Sequence, residues 1–198
     1  MTVDRVLTVP NAVTLLRLLT IPLFLYLLFG RDSPGWAGFT LGCLVSTDWV
    51  DGHLARRLGQ TSNFGAMFDP TVDRLVMVVA LVSILIHGDS APLWFTWIVL
   101  VREVALSTWV VGITAMGAKR MEVTWWGKVG AFANMAAFPA FLLAAEPTFT
   151  SGYQTFWKVL AYIAAGPGLV FSLLSTGQYI THGLEALRAG RAERSTDV

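Results

Sequence analysis

Charge is what this sequence has least of. Asp, Glu, Lys and Arg make up only 14% of its 198 residues, against 55% hydrophobic, and the mean hydropathy is +0.60. A soluble domain carries about a quarter charged residues, so this composition belongs to a membrane protein rather than to a soluble core. Cysteine is almost missing. Cys43 stands alone, which excludes an internal disulfide framework and leaves it as a small apolar residue in a helix. The chain has no run of Lys or Arg and a net charge of +1, so nothing points to nucleic acid. It has no phosphate-binding G-x-x-x-x-G-K-[ST] loop and no Cys/His zinc spacing, and no repeat or low-complexity tract. The first apolar stretch has no clear signal-peptide cleavage site and carries Arg17, so it reads as retained. The length suits a single domain over residues 1–198.

Against that background, one polar stretch stands out. Between residues 48 and 73 lie Asp48, Asp51, Asp69 and Asp73. Asp48 and Asp51 are three residues apart, and Asp69 and Asp73 four, spacings that put each pair on one face of a helix. The residues between the pairs include Arg56, Arg57, Gly59 and Gly65, enough for a turn, so the expectation is two helix ends facing each other. Four ionised carboxylates raise one another's pKa, and burial adds to this. Two divalent cations, Mg²⁺ or Mn²⁺, would relieve the conflict, because both favour hard oxygen ligands. Such a pair can stabilise displacement at phosphorus. Gly52 and Ala55 leave room for a bulky phosphorylated ligand, and Arg56 can pair with phosphate. The plainer alternative is charged loop residues paired with Arg56, Arg57 and Arg74.

The pattern D-x-x-D-G-x-x-A-R, eight residues, then G-x-x-x-D-x-x-x-D resembles the signature of the CDP-alcohol phosphatidyltransferases. Asp48, Asp51, Gly52, Ala55, Arg56, Gly65, Asp69 and Asp73 match every fixed position. The resemblance extends over roughly residues 8–182. It implies transfer of a phosphatidyl group from CDP-diacylglycerol to an alcohol, with release of CMP. By the same resemblance, Asp48 and Asp69 would bridge two metal ions, with Asp51 completing one site and Asp73 the other. Gly52, Ala55, Arg56 and Gly65 would accommodate the CDP moiety. Asp73 would take the proton of the acceptor hydroxyl, as a carboxylate can when its pKa is tuned and it lies within reach. The stretch Pro10, Asn11, Thr14, Arg17 is similar to the opening of many family members, which favours Arg17 as a phosphate ligand over one that snorkels to the interface.

The chain divides into six apolar spans, giving an all-α polytopic membrane fold. They cover residues 12–30, 36–58, 65–86, 92–115, 126–145 and 153–182, with a polar tail from 183 expected to fray. Six spans put both termini on one side. Arg5, Arg56, Arg57, Lys119, Arg120, Lys128, Arg188, Arg191 and Arg194 fall on that side, and only Arg31 and Lys158 on the other. By the positive-inside rule the termini and the Asp cluster are cytoplasmic, in the cell (inner) membrane. Trp36, Trp94, Trp125, Trp126 and Trp157 fit an interfacial belt, and ordinary helix packing accounts equally well for any one of them. His53 reads as a bystander and His182 as interfacial. Arg102 and Glu103 form either a mutually neutralising pair or a functional one.

The second half, with Val101-Arg102-Glu103 and Val123 to Lys128, resembles the branch that makes phosphatidylglycerophosphate and cardiolipin. Glycerol-3-phosphate enzymes of that branch usually carry a further Arg on the fourth span and a second Lys soon after the G-K. Here Ser107-Thr108-Trp109-Val110 and Val129-Gly130-Ala131 stand there instead. With Lys128 the one well-placed cation on a span end, a phosphodiester acceptor, phosphatidylglycerol, is favoured over glycerol-3-phosphate. The partners expected are therefore CDP-diacylglycerol and a lipid or small polar alcohol, and a homodimer is compatible with the sequence. Two other classes compete. An Asp-rich prenyltransferase would need two separated Asp motifs on a larger bundle. A cation transporter would need mid-membrane carboxylates at broken helices.

Overall fold

Apolar stretches bounded by Gly, Pro and Asp form six helices. The computed structural model describes the backbone of residues 9–58, 63–116 and 124–196, and side chains over 17–46, 72, 74–116 and 124–188. Helix α1 (Val9–Leu25) widens into a π-helical turn (Tyr26–Gly30) and is followed by α2 (Pro34–Leu58), α3 (Asn63–His87), α4 (Leu93–Ala115), α5 (Trp125–Ala144) and α6 (Ser151–Thr196). Helix starts and stops lie within a few residues of those expected, with one difference. Residues 183–196 continue α6 as helix where a frayed tail was expected. Leu184, Glu185, Ala186, Leu187, Arg188 and Ala189 are strong helix formers, and they extend a helix already nucleated by the packed segment before them.

Among the described residues, α4 (Leu93–Ala115), α5 (Trp125–Ala144) and Ser151–Arg188 of α6 are long and apolar enough to cross a membrane. Shorter apolar segments run from Arg17 to Gly30 and from Arg74 to His87. The protein is an integral membrane protein. Its outer faces carry the expected apolar load, with Ile86, Leu174 and Ile163 each more than 60% exposed.

Packing order differs from chain order. Helix α1 lies against α2 and α3, α2 also against α5, α5 against α6, α6 against α4, and α4 against α3, which closes a ring. The α5–α6 contact is the most extensive among the described helices, and Gly130 is one reason. A Cβ at this position would lie 2.6 Å from the backbone nitrogen of Ser172, so only glycine lets α6 approach so closely.

The turns at 31–33, 88–92 and 145–150 gather at one end. His87 Nε2 lies 3.1 Å from Asp32 Oδ1, and Ser90 Oγ lies 2.8 Å from His87 Nδ1. The buried Glu146 carboxylate accepts the Gly35 N–H at 2.8 Å and the Thr148 hydroxyl at 2.8 Å, so it caps the N-terminus of α2, where orphan N–H groups and the dipole favour an anion. The apolar core fills this half of the ring: Phe24 and Leu28, Ala37 and Leu41, Leu81 and Ile84, Phe95 and Val99, and Phe138 with Phe141 and Leu142. Phe95 stacks on Phe138 at 5.2 Å between ring centres. Arg31 and Lys158 belong to this end, the latter beside Asp89 and Ser90. The Asp motif belongs to the opposite end, which is therefore the end left for polar chemistry.

Of the tryptophans expected at the interface, Trp36, Trp94, Trp125 and Trp126 are exposed. Trp157 departs from this pattern. It is half-buried, packs against the core, holds its indole nitrogen away from solvent and meets Tyr153 and Phe156 edge-on.

Candidate active site

The carboxylate motif spans two consecutive helices. Asp48, Asp51, Gly52, Ala55 and Arg56 belong to the last turns of α2, and Gly65, Asp69 and Asp73 to α3. Their side chains lie outside the described residues, as do those of Arg57 and His53. The backbone is helical through both segments, with only residues 59–62 between them. That continuity gives the three- and four-residue spacings the common faces expected of them. Four carboxylates and no sulfur or imidazole at the fixed positions are a donor set suited to Mg²⁺ or Mn²⁺.

Immediately along α3 the described side chains open onto a cavity of about 220 Å³, lined by Arg74, Met77, Val99, Arg102, Glu103, Ala131, Asn134 and Met135. Met77 follows Asp73 by four residues and Asp69 by eight, so the cavity continues the helix face that carries the second Asp pair. Helices α3, α4 and α5 supply its walls.

Arg102 is held from three directions. Nη1 donates to Glu103 Oε2 at 2.8 Å, and Nε donates to Thr176 Oγ1 at 3.2 Å. Nη2 donates to the Ser172 carbonyl and to Ser175 Oγ, each at 3.3 Å. The pair is well shielded, with side chains 8% and 21% exposed. The question of whether Arg102 and Glu103 are structural or functional therefore has a double answer in geometry. They neutralise each other and tie α4 to α6, and both line the cavity. Two guanidiniums and one carboxylate leave the described lining with a surplus of one positive charge.

Other expected site residues fall differently. Arg17 is buried at 8% exposure and engaged, an inward position unlike that of a snorkelling arginine. Lys128 is exposed in the first turn of α5 and does not line the cavity. Its helix is capped by Thr124, whose Oγ1 accepts the Gly127 N–H at 3.3 Å. Lys119 and Arg120 lie outside the described residues.

Two residues have a place that the sequence reading did not give them. Arg74 was weighed only as an ion-pair partner of the motif carboxylates, yet it contributes a half-buried cation to the cavity. Asn134 is 2% exposed in the middle of an apolar helix. An amide placed there was the available signal.

A family model for CDP-alcohol phosphatidyltransferase matches residues 7–171. The chain belongs to the CDP-alcohol phosphatidyltransferase family. Among its relatives is a cardiolipin synthase (CMP-forming) of Streptomyces coelicolor, 40% identical over 71% of this chain and 67% of that protein. A CDP-diacylglycerol–glycerol-3-phosphate 3-phosphatidyltransferase of Pseudomonas fluorescens is 33% identical over 96% of this chain and 94% of its own length. The Bacillus subtilis enzyme of the same name is 32% identical over 90% and 96%. Membership in this family agrees with the resemblance carried by the Asp motif. It disfavours the prenyltransferase and transporter readings, and the unbroken backbone of α2 and α3 weighs against the latter as well.

Proposed function

We propose that this protein transfers the phosphatidyl group of CDP-diacylglycerol to an alcohol and releases CMP, with phosphatidylglycerol as the acceptor and cardiolipin as the product. The acceptor's primary hydroxyl oxygen bonds to the phosphorus that carries diacylglycerol. The bond from that phosphorus to the CMP oxygen breaks, and CMP leaves with the electron pair. Asp73 accepts the hydroxyl proton. Asp48, Asp51, Asp69 and Asp73 would hold two divalent ions, which when bound neutralise the pyrophosphate. Gly52, Ala55, Arg56 and Gly65 admit the CDP part, and Arg17 reaches phosphate from α1.

One observation carries the choice of acceptor: the cavity beside the α3 Asp face has a surplus of a single positive charge. Phosphatidylglycerol is a phosphodiester with one negative charge. A phosphate monoester carries close to two at neutral pH and would require more guanidinium or ammonium groups than Arg74 and the already paired Arg102. Position 130, one of the three that follow the G-K, has no room even for a methyl group. The alternative is glycerol-3-phosphate, the acceptor in the names of two relatives, with Lys128 folding over the cavity mouth. Competition decides between them. With equal amounts of both acceptors and labelled CDP-diacylglycerol, cardiolipin is expected to predominate by about ten-fold, one such factor being about 1.4 kcal/mol of preference. Predominant phosphatidylglycerophosphate would overturn the choice.

The same reading takes residues 1–198 as one domain of six membrane crossings, with both termini and the motif at the cytoplasmic face of the cell membrane. Support comes from the gathering of Arg31 and Lys158 at the end away from the motif, as the positive-inside rule requires. Cysteine introduced by Ser62→Cys in a Cys43→Ser background is expected to react with an impermeant thiol reagent only after the inner face is opened. Labelling in intact cells would reverse the orientation.

A further inference from the structure

The cavity holds a polar group whose presence the fold does not explain. Asn134 lines it from α5 and is 2% exposed. Its Oδ1 is buried without a hydrogen-bond partner. A buried amide left unmet costs about as much as a lost hydrogen bond and more, roughly 1–3 kcal/mol. An apolar side chain of the same shape would fill this position at no such cost. Gly168 of α6 leaves room for the amide, since a Cβ there would come within 2.5 Å of Oδ1. The side chain is thus accommodated by the packing while its Oδ1 has no hydrogen-bond partner.

Resting on the transferase reading above, we infer that Asn134 is a specificity-determining residue that binds the secondary hydroxyl of the acceptor's glycerol, the one that does not react. The placement suits that role. The attacking hydroxyl must reach the α3 face carrying Asp73, and the cavity runs from that face, past Met77, to Asn134. On the glycerol the secondary carbon is bonded directly to the reacting one, so an acceptor seated in the cavity brings its second hydroxyl to the wall while its first faces the Asp pair. A rotation about χ2 exchanges Oδ1 and Nδ2, so the amide can accept from a hydroxyl or donate to one. A hydroxyl is the group that can use either. Glu103, fixed by Arg102, borders the same space and supplies a second acceptor. A site built around a hydrogen bond to a hydroxyl rejects the analogue that lacks it much more strongly than an apolar pocket rejects an extra methylene.

The test compares two acceptors that differ only in this hydroxyl: phosphatidylglycerol and phosphatidyl-1,3-propanediol. Purified full-length protein is supplied with Mg²⁺ or Mn²⁺ and CDP-diacylglycerol, and kcat/KM is measured for each acceptor. If the wild type proves to use glycerol-3-phosphate, the pair becomes glycerol-3-phosphate and 3-hydroxypropyl phosphate. The wild type is expected to favour the hydroxylated acceptor by about ten-fold or more. Asn134→Leu is expected to bring the ratio close to one by losing rate on the hydroxylated acceptor alone, with the KM for CDP-diacylglycerol unchanged. Asn134→Ala, smaller and free of any clash with α6, gives the same readout should the leucine disturb folding, and Asn134→Gln recovers part of the ratio. A merely structural role would lower rates on both acceptors together. A ratio unchanged in Asn134→Leu and Asn134→Ala, or a wild type indifferent to the hydroxyl, would overturn the inference. No CMP-releasing turnover with any acceptor would overturn the transferase reading itself, and this inference with it.

Discussion

Asp48→Asn or Asp69→Asn is expected to lower turnover by at least about 1,000-fold while leaving the protein inserted in the membrane. Both residues are proposed to bridge the two ions, so each substitution removes charge from two metal sites at once. An amide can offer one neutral oxygen where the carboxylate offered two charged ones, and hard divalent cations bind it far more weakly. The several kcal/mol that metal-held phosphoryl oxygens contribute to the barrier correspond to three or more powers of ten in rate. Insertion should survive, since α2 and α3 become slightly more apolar. The check is CMP release by purified variants over a range of Mg²⁺ and Mn²⁺, together with membrane fractionation. Near-normal turnover of either variant at ordinary Mg²⁺ would sink the assignment of the motif as a metal site.

The second large effect is structural. Arg102→Ala removes a guanidinium that joins Glu103, Thr176, Ser175 and the Ser172 carbonyl. Glu103 is then a shielded carboxylate that has lost its paired guanidinium, and breaking one side of such a pair costs about 3–5 kcal/mol. For a chain of this length that is a fall on the order of 10 °C in apparent Tm. Replacing both partners, Arg102→Leu with Glu103→Gln, leaves no orphaned charge and is expected to restore more than half of the loss. The restored stability should come without restored activity, since the cavity would have lost two of its three charged side chains, Arg74 remaining. Thermal unfolding in detergent of the single and double variants checks this. If the double variant is as unstable as Arg102→Ala, the cost lies in lost α4–α6 hydrogen bonds and the charge argument fails.

How much of this was readable beforehand differs from residue to residue. The helices were legible because apolar runs and Gly/Pro/Asp turns are local signals, and α2 through α5 begin and end within a few residues of where those signals stand. The motif was legible because its fixed positions lie within 26 consecutive residues, and four carboxylates amid apolar sequence have few explanations. Arg74 and Asn134 were not, since the cavity they share exists only when α3, α4 and α5 come together, and no spacing along the chain joins positions 74 and 134. Trp157 was left open between the interface and ordinary helix packing for a related reason, since a span end allows either and only its packing against the core decides for the second. The last residues of α6 were expected to be loose because they are polar, when their propensity and the helix ahead of them decide otherwise.

The ring of helices also sets an order of construction. Helix α1 packs against both α2 and α3, so the segment that carries all four aspartates can associate as soon as it has been synthesised. Closure cannot happen then. Helix α5 must reach back to α2, and α6, the last to emerge, must come to rest against both α5 and α4. Its Ser172, Ser175 and Thr176 are what fix Arg102. The wall proposed to receive the acceptor is therefore completed only when the final helix is in place. A chain that ended before α6 would leave Arg102 with Glu103 alone of the groups that now hold it, its guanidinium free to turn away from the cavity.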